Sequence, residues 1–463
     1  MTKANITQYS STPSSNADIN DINIAENCPA SGLNNAIREL MAHLKNVDTG
    51  SQALTALSVA GSVTATTSLK TPLIEFTDGD NALTIADGGN VTANANLTVT
   101  GDLIASSLNG GQFGGRRNII INGRMDLDQR NGGSEVVPAS DAYTLDRFRY
   151  NASQASKLKV QQNAQADTPP EGFSNYLGVT VNATHTVAST DNFFLTYFVE
   201  GFDSAHLDFG KSTAKTVTLS FYVRSTLTGT FSGSIVNSAE NRAYPYTYTI
   251  SSADTWERKT ITIAGDTSGT WIGATNGKGL MLTFSLGMGS NFTGTAGQWN
   301  GAQDFGATGE TVKLVENASA EWKMTGLQLE VGQATPFEHL SYGETLALAQ
   351  RYYEKSYEYG TASGTSTGVG SLQAGGGVTG ATASFIGGLT IKYRTIKRGT
   401  TAVTMYDKTG NSGKIHRVQL GSVSSANNTA TVENGGTTGF TVYSASGTSA
   451  SGIQGHFEAD SEL

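Results

Sequence analysis

The most regular feature of the chain is a two-residue alternation of apolar and polar positions. Val217, Leu219, Phe221 and Val223 are separated by Thr218, Ser220 and Tyr222, and Thr216 precedes them. Ile261 and Ile263 repeat the pattern, as do Leu280, Leu282, Phe284 and Leu286, and later Leu327, Leu329 and Val331. Successive side chains of a strand point to opposite faces, so each run predicts a strand with one face turned to a core. Gly-, Ser- and Asn-rich stretches separate the runs. Many strands with turns and no convincing helix over residues 113–340 predict an antiparallel β-sandwich of jelly-roll type. All four tryptophans lie in this region. Trp256 and Trp322 sit beside alternating segments and are expected in the core.

A different period governs the N-terminal segment. Leu33, Ile37, Leu40 and Leu44 are spaced 4, 3 and 4 residues apart, a heptad-like stripe that predicts a helix. Ser31 is placed to cap its start, and Gly50 follows a short exit. An amphipathic helix packed on its own chain accounts for the stripe, and so does a docking or self-associating helix. The polar leader before it, Met1 to Asn20, favours the second reading. Residues 1–50 are therefore read as an attachment segment with a short helix.

Residues 51–112 hold short Val/Leu/Ile/Thr pieces broken by Gly, Asn and Asp: Leu57–Val63, Leu73–Phe76, Ala82–Ile85 and Leu97–Gly101. None is long enough to bury its own apolar side. Such pieces become stable when several chains wrap together and each strand finds its partner on a neighbour, as repeats need neighbours, which predicts an interchain β shaft. A flexible linker is the alternative, against which the β-branched content argues. Thr77–Asn81 and Ala86–Asn90 contain Asp-Gly pairs and read as turns. Residues 341–463 open with a helix expected from Glu344 to about Lys355. Strand pieces follow at Ala402–Tyr406 and Phe440–Tyr443, and together these predict a small C-terminal β tip with polar loops. The expected architecture is mainly β and elongated.

Composition fits this picture. Hydrophobic residues make up 37% and charged residues 15%, with 55 Gly, 17 Tyr and 18 Phe. Abundant Thr and Val with these aromatics argue against disorder. The net charge is -9, and Arg116-Arg117 makes no basic stripe, so nucleic acid is not an expected partner. The single cysteine, Cys28, permits neither an intrachain disulfide nor a cysteine zinc site. No run of about 18 apolar residues predicts membrane insertion. Without the apolar core of a signal peptide, the protein is expected to fold in a cytoplasm and to leave by a route such as lysis.

Three motifs carry a resemblance. Asn118-Ile119-Ile120-Ile121-Asn122-Gly123-Arg124-Met125, then Gln129-Arg130-Asn131-Gly132, then Tyr143-Thr144-Leu145-Asp146-Arg147-Phe148 resemble the opening of a module common in tail fibre proteins of tailed bacteriophages. Asn131 is inserted before Gly132, and Phe148 stands where Trp is common. The far end of that module is similar to Leu327–Gly332, Thr335-Pro336-Phe337-Glu338 and Leu346–Tyr353, with Ala349 where a cysteine is common. Asn16 to Asp48 is similar to the leading segment of marine phage fibre and tail proteins. The resemblance covers roughly residues 1–355. It implies a homotrimer on the virion, with residues 1–50 on tail or baseplate proteins and the C-terminus outward against a host surface receptor.

No catalytic constellation emerges. His43, His185, His206, His339, His416 and His456 lie in no nucleophile elbow and read as surface or packing residues. Asp126-Leu127-Asp128 lacks the rest of a calcium loop. Acids are plentiful, but no pair is singled out for glycoside hydrolysis. The expectation is a protein that is not an enzyme, with no cofactor and no metal. Sugar binding is the more plausible chemistry, because a loop aromatic can stack on a pyranose. Trp271, in Ser268-Gly269-Thr270-Trp271-Ile272-Gly273, and Trp299, in Gly297-Gln298-Trp299-Asn300-Gly301, are the glycan-stacking candidates; capping the sandwich core is their alternative role. Leu33, Ile37, Leu40 and Leu44 are the candidates for an anchor or trimer helix. The function expected is a virion tail fibre, assembled in the host cytoplasm, that mediates host-surface glycan recognition. A virion-borne polysaccharide-degrading enzyme and a fibre adaptor on which another receptor-binding protein docks are the alternatives.

Overall fold

The structure is a computed structural model that describes residues 3–4, 6–10, 12–49, 51, 73–75, 81–85, 91–93, 115–375, 386–419, 422–444 and 452–463. The chain divides into two compact units, Met1–Leu103 and Ile104–Leu463.

In the first unit, strands β1 (Asp18–Ile19) and β2 (Ile22–Asn23) form a hairpin. Its two turn residues, Asn20 and Asp21, have φ of 48° and 64°, as a tight primed turn requires. Helix α1 spans Ala30–Asp48. Pro29 occupies its N-cap, so Ser31 lies inside the first turn and caps nothing. Ala36 and His43 are the buried residues of the helix, and the Tyr9 hydroxyl meets His43 Nδ1 at 2.5 Å. Three short strands follow, β3 (Leu73–Glu75), β4 (Asn81–Ile85) and β5 (Val91–Ala93), joined as an antiparallel meander. The expected shaft strands in this stretch therefore pair within one chain. Five-residue connections make that local closure inexpensive in entropy. The pieces at 57–63 and 97–101, and the Asp-Gly segments at 76–80 and 86–90, lie outside the described residues.

The second unit is built on a sandwich. Its strands are β6 (Phe148–Ala152), β7 (Leu158–Gln162), β8 (Leu177–Val181), β9 (Asn192–Glu200), β10 (Val217–Ser225), β11 (Gly229–Asn237), β12 (Ala243–Ile250), β13 (Glu257–Ile263), β14 (Lys278–Met288) and β17 (Glu321–Val331). The two-residue strands β15 (Thr293–Gly294) and β16 (Gly306–Ala307) pair in the long connection before β17. Helix α2 (Gly201–Ser204) follows β9 directly. One antiparallel sheet runs β13-β10-β17-β8-β7 and the other β12-β11-β14-β9-β6. From β8 to β17 the chain crosses between sheets in the order of a jelly roll, with β7 and β6 added at the edges.

The alternating residues are the inner faces of these sheets. Leu219 sits opposite both Ile261 and Leu329, and Leu282 opposite both Ile235 and Tyr197. Trp322 is fully buried, and its Nε1 donates to Tyr248 Oη of the facing sheet at 3.0 Å. Trp256 differs from expectation: it is half-buried at the margin, edge-on to Tyr176, with Nε1 donating to the Thr168 carbonyl. On β17 the inward row changes parity, from Trp322 and Met324 to Leu327 and Leu329. The switch falls at Gly326, whose φ is +62°. A Cβ there would come within 2.7 Å of the Phe173 ring, so the bulge requires glycine.

Helix α3 spans Tyr342–Gln350 and opens with a capping box between Ser341 and Glu344. It is shorter than expected. Tyr353–Lys355 is β18, paired with the last strand, so its aromatic row belongs to a sheet. The remaining strands are β19 (Leu372–Gly375), β20 (Ile386–Lys392), β21 (Ala402–Tyr406), β22 (Lys414–Gln419), β23 (Ser422–Thr429), β24 (Thr431–Glu433), β25 (Gly439–Ser444) and β26 (Gly452–Asp460). Strand β26 pairs β18, β19, β21 and β22, while β20, β25 and β24 form a second sheet. Ile391, Phe440, Val442, Ile453 and Phe457 are among the residues of a core of its own. Yet residues 113–340 and 341–463 belong to one compact unit. Charged clamps join them: Arg351 to Glu200, Arg130 to Asp460, and Arg147 to Glu462, both ends of this last pair buried.

Candidate functional site

The loop 264–277 after β13 carries Trp271, and the connection 289–320 after β14 carries Trp299. The structure brings the two together. Their rings meet edge to face at 5.5 Å and 83°. Phe209 stands perpendicular to both, at 5.0 Å from Trp271 and 5.7 Å from Trp299, and Tyr244 meets Trp299 at 5.2 Å. Such perpendicular pairs add attraction beyond the area they bury.

Polar contacts hold the cluster in place. Trp299 Nε1 donates to the Ala264 carbonyl at 2.8 Å. Trp271 Nε1 reaches Asp266 Oδ2 and the Ser268 carbonyl, each at 3.2 Å. Asp266 is buried and receives a two-pronged bond from Arg242, Nε at 2.8 Å and Nη2 at 2.7 Å. The same bonds push the Arg242 guanidinium pKa up. Close backbone approach completes the lock. Gly210 has φ +86°, and a Cβ there would lie 2.8 Å from the Gly269 carbonyl oxygen and 3.2 Å from Trp271 Cδ1.

Trp271 then lines a cleft of about 270 Å³ floored by Leu207, Phe209, Ile272 and Leu280. Asp208 and Lys211 stand at its rim, paired at 2.8 Å; that bond holds the Asp208 carboxyl below its usual range. Trp299 is not part of the lining. Both candidate tryptophans also pack on the sandwich core, so the core-capping role and the cleft-lining role coexist in Trp271, while Trp299 supports it from behind. An apolar cleft with an ordered indole edge and a few polar groups can take one face of a sugar ring.

A second opening was not anticipated. Strand β9 is buried along both faces. Phe193, Leu195, Tyr197 and Val199 face the core, while Phe194 and Phe198 belong to a separate apolar cluster with Met281 and Phe305. The signal was present in the sequence, since Phe193-Phe194-Leu195-Thr196-Tyr197-Phe198-Val199 is apolar at both parities, which marks a strand covered on both sides. Over this outer face lies a cleft of about 370 Å³ with a mostly polar rim.

The helix candidates divide. Leu33, Ile37 and Leu44 are exposed at 53%, 51% and 55%, and Met41 joins them at 64%. Leu40 is half-buried. The outward row is therefore Leu33, Ile37, Met41 and Leu44, with Leu40 at its edge, between that row and the buried Ala36 and His43. Among the described residues no helix is long and apolar enough to cross a membrane.

The motifs that carried the resemblance are architectural. Asn118 Oδ1 accepts from the Leu329 amide at 3.1 Å, and its Nδ2 donates to the Leu327 carbonyl at 3.1 Å. Glu338 Oε2 accepts from the amides of Arg117 and Asn118 at 2.9 and 2.7 Å. Gly123 faces the same carbonyl, and a Cβ there would sit 2.2 Å from the Leu327 oxygen. Gln129 Nε2 donates to buried Asp146 at 2.6 Å. The guanidinium of Arg130 lies 3.9 Å from the Tyr353 ring centroid.

No family profile matches the chain, and no curated protein sequence matches it. Solved structures with a similar arrangement include the enzymatically active domain of tailspike protein 4 of bacteriophage CBA120. That match has 11% identity and a TM-score of 0.24 and covers 46% of this chain and 21% of that one. A family 11 carbohydrate-binding module of a Clostridium thermocellum cellulosomal cellulase matches at 11% and 0.23, over 44% of this chain and 98% of the module. A family 61 module in complex with β-1,4-galactotriose matches at 10% and 0.24, over 47% and 100%.

Proposed function

We propose that this chain is a glycan-recognising structural subunit of a bacteriophage tail fibre, a homotrimer anchored to the tail through residues 1–50. It works by binding rather than by catalysis, and its site of action is the virion. The observation that carries the reading is the meeting of the two ends of the fibre-like module. Asn118 and Gly123, from its opening, are bonded to or packed on Leu327, Leu329 and Glu338, from its close. Motifs far apart in sequence that interlock in space behave as one module rather than as chance matches. The exposed row of Leu33, Ile37, Met41 and Leu44 supports self-association of the N-terminal helix, because an unpartnered apolar stripe is costly in water. The Trp271 cleft supports glycan recognition.

The test is location. Gold-labelled antibody against the C-terminal strands is expected to decorate fibres on tailed particles made by cells that express this chain. Particles that stay bare, with the protein left in the soluble lysate, would overturn the assignment.

A further inference from the structure

We infer that the cleft over the outer face of β9 and β14 binds an acidic saccharide, with Lys278 seating its carboxylate. This cleft is not the Trp271 cleft; the inference rests on the proposed glycan recognition only for the general class of ligand.

The floor is the second apolar row of β9. Phe194 stacks on Phe305 at 5.0 Å and 19°, and Phe198 lies beside them in the same cluster. Above this floor the charged groups are unequally provided for. Arg149 pairs with Asp141, and Asn151 Nδ2 donates to the same carboxylate at 2.6 Å. Glu240 accepts from Gln303 Nε2 at 2.7 Å. Lys278 differs. Its ammonium lies 4.5 Å from the Phe198 ring centroid, and among the described residues no carboxylate lies within ion-pair distance of it. It is half-buried. Burial first, and then the like charge of Arg149, draw its pKa below the usual lysine value.

A half-buried ammonium beside a guanidinium, with Glu240 and Asp141 offsetting its burial only in part, costs free energy that a further anion in direct contact would reduce. A single carboxylate would supply that anion. A phosphate dianion suits the site less well, because Asp141 and Glu240 share the rim and would repel a second charge. The amides of Asn151, Asn192 and Gln303 give hydroxyl-bearing rings both donors and acceptors, and the volume of about 370 Å³ falls in the range of small-molecule sites. One carboxylate on a polyhydroxylated ring is the chemistry of a uronic acid or another acidic sugar.

The experiment is calorimetric titration of the full chain with tetragalacturonate and, separately, with the neutral cellotetraose. Tetragalacturonate is expected to bind and to weaken with added salt. Lys278→Met is expected to lose at least tenfold in affinity and Lys278→Arg to recover most of it. Equal tetragalacturonate binding by Lys278→Met and the parent chain would overturn the inference. So would cellotetraose binding equally well in competition with the uronate. If tetragalacturonate fails while a neutral glycan binds through Trp271, this inference falls and the proposed function stands. If no glycan binds at all, both fall.

Discussion

The guanidinium of Arg147 lies 3.5 Å from the centroid of the Tyr352 ring. Arg147 comes from the opening of the fibre-like module and Tyr352 from its close. On its other side Arg147 pairs with Glu462, one residue from the end of the chain. Its Nη2 also donates to the Phe198 carbonyl at 2.6 Å. One cation thus ties the sandwich, the turn between helix α3 and β18, and residues near Glu462 together. Burial pushes the Glu462 carboxyl up against the pull of Arg147 and Arg130.

Removing that cation leaves Glu462 with Arg130 alone, at 3.5 Å, and leaves the Phe198 carbonyl without its donor. Arg147→Met is expected to cost about 1–3 kcal/mol, the usual penalty for a buried polar group that loses a partner. The double variant Arg147→Met/Glu462→Gln should recover part of the loss. Urea unfolding of the second unit measures both; additive losses would mean that the pair is not coupled.

Gly123 is predicted to tolerate no side chain. A Cβ would sit 2.2 Å from the Leu327 oxygen, so Gly123→Ala must separate the module's two ends. A loss of roughly 1–3 kcal/mol is expected from such overpacking. An unchanged melting temperature would show that the contact is slack.

Glu310 gives the second unit a pH dependence. Glu310 belongs to the connection that carries β15 and β16; its carboxyl is buried, accepts from the Ser232 hydroxyl, and is pushed up to about 7 by burial, which outweighs the hydrogen bonds of Ser232 and Ser285 and the charge of Lys313. The folded state therefore holds a proton that the unfolded chain releases near pH 4.5. Its contribution is complete below that value and is lost as pH rises through about 7, by on the order of 3 kcal/mol. Glu310→Gln should flatten the stability profile between pH 4.5 and about 7, the interval spanned by the shift. An identical profile in both proteins would rule the mechanism out.

Much of the sandwich was legible because one face of each strand is apolar and the other polar. Val217–Val223 and Leu280–Leu286 declare their inner rows at a glance. Strand β9 hides its second role because both parities are apolar, and a reader seeking alternation passes over it. Tyr353–Lys355 follows helix α3 so closely that its aromatic row reads as another helical turn; only its pairing with β26, about a hundred residues on, makes it a strand. The clamps from Arg130 and Arg147 to Asp460 and Glu462 span most of the unit and leave no local trace. For the site, the loop setting singled out Trp271 and Trp299, but sequence could not say that one lines the cleft and the other supports it.

That division of labour is testable. Trp271→Ala is expected to lower neutral-glycan affinity at least tenfold, about 1.4 kcal/mol. Trp299→Phe should keep the edge-to-face packing and stay within about twofold of the parent, an effect too small to register as a lost stacking contact. Equal losses in calorimetric titration would assign both rings to the ligand.

Sedimentation velocity of the full chain tests the fibre reading most directly. The account predicts a particle of three times the 48.4 kDa chain mass with the high friction of an elongated body. It also predicts dissociation when Leu33, Ile37 and Leu44 are all changed to Ser. A compact monomer in the parent protein would contradict it.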